Sequence, residues 1–257
     1  MNENDFQLEK MKIFGVDFDL IDYERVYAVI EHWRQTNRRE YITITNPHSV
    51  LLFHRDKEMR RATSKSALTL PDGAGIVLGA KLLGYPHYGR ITGPMLMLKL
   101  CDWGRQCGCR HYFFGGLPGV AEVLAKRLAN KYPGLRVAGS YSPSQYPRSE
   151  LQYSKEMVER INAARADIVW VGLGAPKQEK WIERHHGLID AAAMIGVGAA
   201  FDFHSGRVKW APPWVRKVGM EWAYRLMLEP RRMWRRNLDS PRFIFGVVRQ
   251  RLTRTLR

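Results

Sequence analysis

Short apolar runs alternate along most of the chain with longer segments in which apolar residues recur every three or four positions. The runs predict strands, and the periodic segments predict helices with one buried face. The predicted strands are Lys12–Asp19, Tyr41–Thr45, Ala67–Leu70, His111–Phe114, Leu135–Tyr141, Ile168–Val171 and Ala192–Val197. The predicted helices between them are Tyr23–Thr36, His48–Arg61, Ile76–Leu83, Met95–Arg105, Val120–Lys131, Glu150–Ala164 and Lys177–His186.

This alternation predicts an α/β fold, with a Rossmann-like parallel sheet flanked by helices. We expect one catalytic domain over residues 1–208. Its soft internal boundary lies near residue 106, because a fresh α/β unit begins at His111.

The pattern changes after Val208, where tryptophans and tyrosines interleave with arginines. Helices are predicted over Val218–Leu228, which Pro230 limits, and over Arg242–Leu256. Residues 207–257 contain 14 basic and 3 acidic residues, a net +11 of the +16 carried by the whole chain. We interpret residues 209–257 as a basic helical appendage, suited to an anionic membrane surface, a diphosphate or single-stranded nucleic acid.

The length of the apolar runs and the spacing of the cysteines bear on where in the cell the protein is located. No run reaches the roughly 18 apolar residues of a membrane-spanning helix, and the charged, mixed N-terminal segment does not resemble a signal peptide. Three clustered cysteines, Cys101, Cys107 and Cys109, lack the spacing of a structural zinc site. We expect reduced, structural thiols in a cytoplasmic protein.

One strand leads into a glycine turn that is suited to a ligand. Ile168–Val171 is followed by Gly174, which permits a tight turn, and by Pro176, which suits the first turn of a helix. A helix N-terminus at the carboxyl end of a parallel strand presents N–H groups to an anion. Gln178 and Glu179 could hydrogen-bond a sugar or a base there. The alternative is an ordinary strand–helix connection without a ligand.

Asp72 occupies a similar place, after the strand Ala67–Leu70 and before the helix Ile76–Leu83. A carboxylate there either caps the helix or acts as a general base, and the two roles look identical in sequence. Arg90 follows, and it either binds a phosphate or pairs with a surface acid.

Metal-binding patterns are weak in this chain. Asp17 and Asp19 form a D-x-D pair, but Asp19 or Asp22 is more simply the N-cap of the helix that follows or a surface residue. His48, His54 and His204 have no partner at ligand spacing, so we interpret them as structural. We therefore expect no metal site.

Several enzyme classes lack their signatures here. The chain has no G-x-G-x-x-G, G-x-S-x-G or G-x-x-x-x-G-K-[ST] motif, which disfavours a nicotinamide-dependent dehydrogenase, a serine hydrolase and a Walker-type ATPase. Glycine turns, one placed carboxylate and many arginines remain. This combination suits transfer from a nucleotide-diphosphate donor, because a base can activate an acceptor hydroxyl while arginines stabilise the departing diphosphate.

Seven short motifs occur in an order that resembles the WecG/TagA/CpsF family of bacterial glycosyltransferases, glycosyltransferase family 26. The resemblance covers about residues 14–236. The motifs are Asn46-Pro47, Leu70-Pro71-Asp72-Gly73-x-Gly75, Arg90-x-Thr92-Gly93-Pro94, Gly115-Gly116-x-Pro118-Gly119, Val171-Gly172-Leu173-Gly174-Ala175-Pro176-Lys177-Gln178-Glu179, Gly196-Val197-Gly198-x-x-Phe201-Asp202, and Glu221-Trp222-x-Tyr224-Arg225 with Glu229-Pro230-x-Arg232.

The resemblance implies an inverting, metal-independent transferase that uses no cofactor. Such enzymes move a hexosyl unit, often N-acetylmannosamine, from a UDP-sugar to a sugar on polyprenyl diphosphate. They work as peripheral proteins at the inner face of the bacterial membrane. The family also implies a homo-oligomer and an appendage that docks on the membrane.

Residue roles follow from the same resemblance. Asp72 is expected to be the general base, and Asp202 is expected to contact the nucleotide. The expected positioning residues are Asn46, Arg90 and Gln178. The expected diphosphate ligands on the appendage are Arg225, Arg232 and Arg235. Further substrate contacts are expected at the motif positions Thr45, Gly73, Thr92, Gly116, Gly174 and Pro176.

One position departs from the family pattern. The family often has threonine two residues before the asparagine, where this chain has Ile44. Thr43 and Thr45 would point to the opposite face of a strand. Glucose, N-acetylglucosamine, galactose or a uronic acid is therefore open as the donor sugar, besides N-acetylmannosamine.

Two other functions compete with sugar transfer. A basic nucleic-acid-binding protein would explain the charge and the aromatic residues, but it leaves Asp72 and the glycine turns unexplained. A nucleotide-dependent oxidoreductase would suit the Rossmann-like half but lacks its fingerprint. We rank both below the transferase, and we expect no nucleic-acid partner.

Overall fold

The computed structural model of the protein describes residues 8–86, 89–143 and 155–255. Its strands are β1 (Lys10–Ile13), β2 (Val16–Asp19), β3 (Glu40–Thr45), β4 (Leu68–Pro71), β5 (Arg110–Gly115), β6 (Arg136–Tyr141), β7 (Ile168–Gly172) and β8 (Ala193–Gly196). Its helices up to residue 204 are α1 (Tyr23–Gln35), α2 (Pro47–Arg55), α3 (Lys57–Ser64), α4 (Ala74–Leu82), α5 (Gly93–Trp103), α6 (Val120–Lys131), α7 (Lys155–Ala163), α8 (Lys177–His185) and α9 (Ala200–His204). The last four are α10 (Pro213–Lys217), α11 (Glu221–Leu228), α12 (Pro230–Asn237) and α13 (Asp239–Thr255).

Six strands form one parallel sheet in the order β4-β3-β8-β7-β5-β6. Helices cover both faces, so alternate residues of a central strand enter different cores. On β7, Trp170 packs into one hydrophobic cluster, whereas Val169 and Val171 pack into the other. The predicted α/β fold with a parallel sheet flanked by helices is confirmed.

The sheet is continuous across the soft boundary expected near residue 106. β3, from the first half of the chain, pairs with β8 from the second half, with Tyr41 opposite Met194. Because all six strands are parallel, the carboxyl ends of β3, β4, β7 and β8 meet at one edge. Residues that are far apart in sequence therefore reach the same place.

The segment predicted as one strand over Lys12–Asp19 is instead a hairpin of β1 and β2. Phe14 and Gly15 form its two-residue turn, both with positive φ, at 44° and 81°. Such a turn matches the twist of the flanking strands. The buried positions change from Met11 and Ile13 to Val16 and Phe18 across the turn, but the adjacent apolar residues Ile13 and Phe14 conceal this change of phase in the sequence.

The helix predicted over His48–Arg61 is also divided. Asp56 separates α2 from α3, and its carboxylate accepts the backbone N–H groups of Glu58 and Met59. An aspartate that offers a capping bond favours a new helix start over continuation. Of the helix predicted over Glu150–Ala164, residues 150–154 lie outside the described residues.

The C-terminal helices begin earlier or later than predicted. α11 begins at Glu221 rather than Val218, because α10 precedes it and Gly219 turns the chain with a φ of +75°. Pro230, expected to limit that helix, also opens α12. Of the helix predicted over Arg242–Leu256, Leu256 lies outside the described residues.

α13 packs against the N-terminal hairpin as well as α2 and α4. Phe243 and Val247 are fully buried in one cluster with Met11 and Phe18. Gly79 on α4 makes room for this contact, because a Cβ there would lie 3.1 Å from the Phe243 ring. The division of the chain at residue 208 stays a prediction.

Two predictions made from composition concern membranes and thiols. In the described ranges, no helix is both long and apolar enough to cross a membrane. The three cysteines are free thiols, and Cys101 and Cys109 are buried. Burial raises the pKa of both thiols, so they stay protonated.

Candidate active site

A cavity of about 610 Å³ lies at the carboxyl edge of the sheet, between the strand ends and the C-terminal helices. The residues after β3, β4, β7 and β8 form one wall, and residues of α11, α12 and α13 form the other. Ten of the predicted site residues line it: Asn46, Asp72, Gly73, Arg90, Thr92, Gly116, Gly174, Gln178, Asp202 and Arg225.

Asp72 directly follows β4, and its backbone N–H donates to the carbonyl of Thr45 at 3.0 Å. It does not cap the next helix. The N-cap of α4 is Gly73, with a φ of +88°, so the cap position itself has no side chain. The Asp72 carboxylate accepts the N–H of Gly73 and lines the cavity, one residue before the cap position.

The pKa of Asp72 is raised to about 6, chiefly because burial disfavours its charged form. The positive charges of Arg90 and Arg225 oppose this rise, whereas the negative charge of Glu221 adds to it. A carboxylate with a pKa near 6 is largely ionised at neutral pH and is still basic enough to accept a proton.

Arg90 is held by the C-terminal part of the chain. Its Nη2 donates to Oε2 of Glu221 at 2.6 Å and to the carbonyl of Arg216 at 3.3 Å. The Tyr23 hydroxyl donates to the Arg90 carbonyl and accepts the N–H of Thr92. The acid that pairs with Arg90 thus lies in the cavity wall rather than on the outer surface.

Gln178 folds back onto the glycine turn that precedes α8. Its Oε1 accepts the N–H of Gly174 at 3.1 Å, and its Nε2 donates to Oε1 of Glu179 at 3.0 Å. Gly196 on β8 allows this packing, because a Cβ there would lie 2.9 Å from Nε2. The predicted turn is confirmed, but the N–H of Gly174 is already bound to Gln178 rather than open to an anion.

Asn46 and Thr92 line the cavity and are also the N-cap residues of two helices. Asn46 Oδ1 accepts the backbone N–H of Ser49 at 3.1 Å and caps α2. Thr92 Oγ1 accepts the N–H of Met95 at 3.4 Å and caps α5. Their proposed contacts to substrate remain predictions.

Asp202 and Arg225 line the far side of the cavity. Asp202 Oδ1 accepts from Nη1 of Arg207 at 2.8 Å, so the carboxylate is paired with a cation. The Arg225 guanidinium lies over the Phe203 ring at 5.3 Å. This cation–π contact keeps the charge beside the cavity.

Two predicted site residues with described side chains, Thr45 and Pro176, do not line the cavity. The Thr45 hydroxyl is buried without a hydrogen-bond partner among the described residues. The side chains of Arg232 and Arg235 lie outside the described residues.

Ile44 lines the cavity in place of the family threonine. Thr43 points to the opposite face of β3, where its hydroxyl bonds those of Thr69 and Ser66. The predicted alternation at the end of this strand is confirmed, because Ile44 and Thr43 face different sides.

Sequence reasoning missed a contact that joins α2 to α13. His48, interpreted as structural and without a partner, lines the cavity, and its Nδ1 lies 2.6 Å from Oδ2 of Asp239. Asp239 is buried and also lies near Arg242 and Arg55. The partner is 191 residues away along the chain, so no local spacing could have shown it.

The D-x-D pair lies away from the cavity. Asp17 is exposed and forms an ion pair with Lys12 at 3.7 Å. Asp19 is buried and accepts the backbone N–H of Thr69 at 2.7 Å. Asp22, not Asp19, caps α1 by accepting the N–H of Arg25. These contacts give both carboxylates structural roles.

Comparison with known proteins identifies the class of enzyme. The model of the Glycosyl transferase WecG/TagA/CpsF family matches residues 11–257. The chain therefore belongs to this family and is a glycosyltransferase. The membership confirms the resemblance and favours sugar transfer over the oxidoreductase and nucleic-acid alternatives.

Curated relatives share most of their length with this chain. An N-acetylglucosaminyldiphosphoundecaprenol N-acetyl-beta-D-mannosaminyltransferase of Bacillus spizizenii is 32% identical over 235 residues, 90% of this chain and 88% of the relative. A protein of the same name from Bacillus subtilis is 31% identical over 209 residues, 81% of this chain and 79% of the relative. One from Staphylococcus aureus is 28% identical over 245 residues, 93% and 92% of the two chains.

Replacing Asp72 by asparagine tests whether Asp72 acts as a general base or has only a structural role. We expect Asp72→Asn to lower turnover by at least about 100-fold, because the amide cannot accept the proton. The native pKa of Asp72 is raised, so its ionisation destabilises the fold as pH rises from about 4 to about 6, by about 1.4 kcal/mol per pKa unit, and this loss is complete at pH 8. The melting temperature of Asp72→Asn at pH 8 should therefore equal or exceed that of the wild type.

Asp17→Asn is the matched control, because Asp17 is exposed and lies outside the cavity. It should keep full turnover. An Asp72→Asn variant that keeps more than a tenth of the rate, or that melts well below the wild type at pH 8, would contradict this role.

Proposed function

We propose that this enzyme moves a hexosyl unit, N-acetylmannosamine or a related hexose, from a UDP-sugar to a sugar on polyprenyl diphosphate. The transfer inverts the anomeric centre, needs no metal ion and contributes to a cell-surface polysaccharide. The observation that carries the proposal is the Asp72 carboxylate, with a pKa of about 6, in a cavity that also holds Arg90 and Arg225. The names of the relatives support an N-acetylglucosaminyl-diphosphoundecaprenol acceptor.

The proposed chemistry is a single displacement. Asp72 takes the proton from the acceptor hydroxyl, whose oxygen forms a bond to the anomeric carbon of the donor. The bond between that carbon and the UDP oxygen breaks, and UDP leaves from the opposite face, which inverts the configuration. Arg90 and Arg225 supply positive charge for the departing diphosphate.

We assign the two substrates to different parts of the cavity. The glycine turns at Gly116 and Gly174 and the carboxylate of Asp202 lie at the ends of β5, β7 and β8, where nucleotides bind in open α/β sheets. We place the UDP moiety there. The acceptor then lies between Asp72 and the C-terminal helices, where Trp222 offers an aromatic surface.

Ile44 bears on the choice of donor sugar. Its apolar side chain lines the cavity at the position where the family often has threonine. An apolar side chain favours contact with a methyl group, such as that of an acetamido substituent, over contact with a bare hydroxyl.

We also propose that the C-terminal helices dock on the anionic inner face of the membrane, where a polyprenyl-linked acceptor resides. Large apolar side chains stand exposed there, notably Trp214 at 71%, Met227 at 74% and Phe245 at 73%. The same segment carries the excess of arginine. Exposed apolar residues beside basic ones are typical of helices that lie in a membrane interface. A homo-oligomer stays a prediction.

The direct test is UDP release from a panel of UDP-sugars, with a polyprenyl-diphosphate-linked N-acetylglucosamine acceptor and EDTA present. We expect one donor to give acceptor-dependent release that EDTA does not abolish. Release only after a divalent metal is added would contradict metal independence. A product with the retained anomeric configuration would contradict the single displacement.

Membrane docking is tested by sedimentation of the full chain with vesicles. We expect binding to phosphatidylglycerol vesicles that weakens with salt, and little binding to phosphatidylcholine vesicles. Trp214→Ala combined with Phe245→Ala should weaken binding roughly tenfold, because two apolar contacts are lost. Leu188→Ala, an exposed leucine outside the C-terminal helices, is the control. Equal binding by the double variant and the wild type would count against this surface.

A further inference from the structure

Glu221, the first residue of α11, uses both carboxylate oxygens. Oε2 accepts from Nη2 of Arg90 at 2.6 Å, and Oε1 accepts from the indole Nε1 of Trp210 at 3.1 Å. The Glu221 side chain is only 19% exposed, and the residue lines the cavity. A half-buried carboxylate that accepts one charge-assisted and one neutral hydrogen bond has a fixed orientation.

The indole that holds Glu221 is itself packed on several sides. The Arg216 guanidinium lies 3.9 Å from the centre of the Trp210 ring, and the Phe203 ring stacks at 6.0 Å. His204 meets the same indole edge-on at 5.1 Å. Trp210 is therefore a rigid support, and the position of Glu221 is set by the protein rather than by solvent.

Arg90 is in turn drawn toward the C-terminal helices. Its Nη2 bonds both Glu221 and the Arg216 carbonyl, whereas no described residue accepts from its Nε or Nη1. Although Arg90 acts electrostatically on Asp72, no hydrogen bond or ion pair joins the two side chains in the described structure. The ion pair of Arg90 in the described structure is thus with Glu221 and not with Asp72.

We infer that Glu221 is a positioning residue, which holds Arg90 away from a direct ion pair with Asp72 and aims the remaining N–H groups of Arg90 at the bound diphosphate. This inference rests on the proposed function. It assigns Glu221 no contact with the reacting atoms. Glu221 acts through Arg90, which it keeps from pairing with the base. It also acts through α11, which it fixes across the cavity.

Charged or titratable groups from several elements around the cavity face Asp72. Arg90 precedes α5, Glu221 and Arg225 belong to α11, and the Tyr23 phenol comes from α1. The Gly73 N–H bonds the Asp72 carboxylate and lowers its pKa. Removing the charge of Glu221 leaves the two arginines unopposed. The pKa of Asp72 must then fall, and more so if Arg90 swings onto it.

The test is the titration of the Asp72 side chain by carbon NMR in the full chain labelled with ¹³C-aspartate, with the Asp72→Asn variant identifying the signal. For Glu221→Gln, we expect the midpoint to fall by about 0.5 to 1 pH unit relative to the wild type. Turnover with the active UDP-sugar should fall roughly tenfold at neutral pH, because a weaker base and a misplaced Arg90 both slow transfer.

Two control variants separate positioning from simple anchoring. Glu183→Gln makes the same change in another half-buried glutamate, which pairs with Arg61 at 2.8 Å outside the cavity wall. Its Asp72 midpoint and turnover should match the wild type. Trp210→Phe removes one hydrogen bond to Glu221 but keeps its charge, so turnover should fall while the Asp72 midpoint stays.

An unchanged or raised Asp72 midpoint in Glu221→Gln would overturn the inference and leave Glu221 as an anchor for α11. This outcome is distinct from failure of the proposed function. That failure would appear as a wild-type protein that releases no UDP from any donor, whatever the midpoint of Asp72.

Discussion

As the proposed base, Asp72 must carry a negative charge in a cavity whose burial opposes that charge, and the neighbouring side chains are arranged around this conflict. Burial raises its pKa to about 6, and Arg90 and Arg225 limit the rise. A tight ion pair with either arginine would make the carboxylate a poor base, whereas isolation would leave it protonated. The contact between Arg90 and Glu221 at 2.6 Å keeps the site between these limits.

The sheet supplies only half of this arrangement. The carboxyl ends of β3, β4, β7 and β8 bring Asn46, Asp72 and Gln178 to one edge, because parallel strands all end on the same side. The charges of Glu221 and Arg225, which face Asp72 across the cavity, come from α11. The buried Phe243 of α13 joins the C-terminal helices to the N-terminal hairpin. The residues of the proposed chemistry and of the proposed membrane surface thus belong to elements that pack against one another.

Much of the fold and part of the site could be predicted from the sequence. Apolar runs located the six sheet strands, and the carboxyl-end rule placed Asp72 and Gln178 in the cavity. The β1–β2 turn was missed, because the apolar residues Ile13, Phe14 and Val16 conceal the change of phase at the turn, where Phe14 and Gly15 have positive φ. Pairs such as Glu221–Arg90 and His48–Asp239, which are 131 and 191 residues apart, depend on tertiary packing and leave no local signal.

The pH dependence of kcat/KM for the wild-type enzyme tests the central claim most directly, because it reports ionisation of the free enzyme's base. With a UDP-sugar donor and polyprenyl-diphosphate-linked acceptor, we expect kcat/KM to fall about tenfold per pH unit below about pH 6, the pKa of Asp72. A profile that stays flat down to about pH 4.5 would show that no group with the pKa of Asp72 must be ionised for transfer, and would contradict the account.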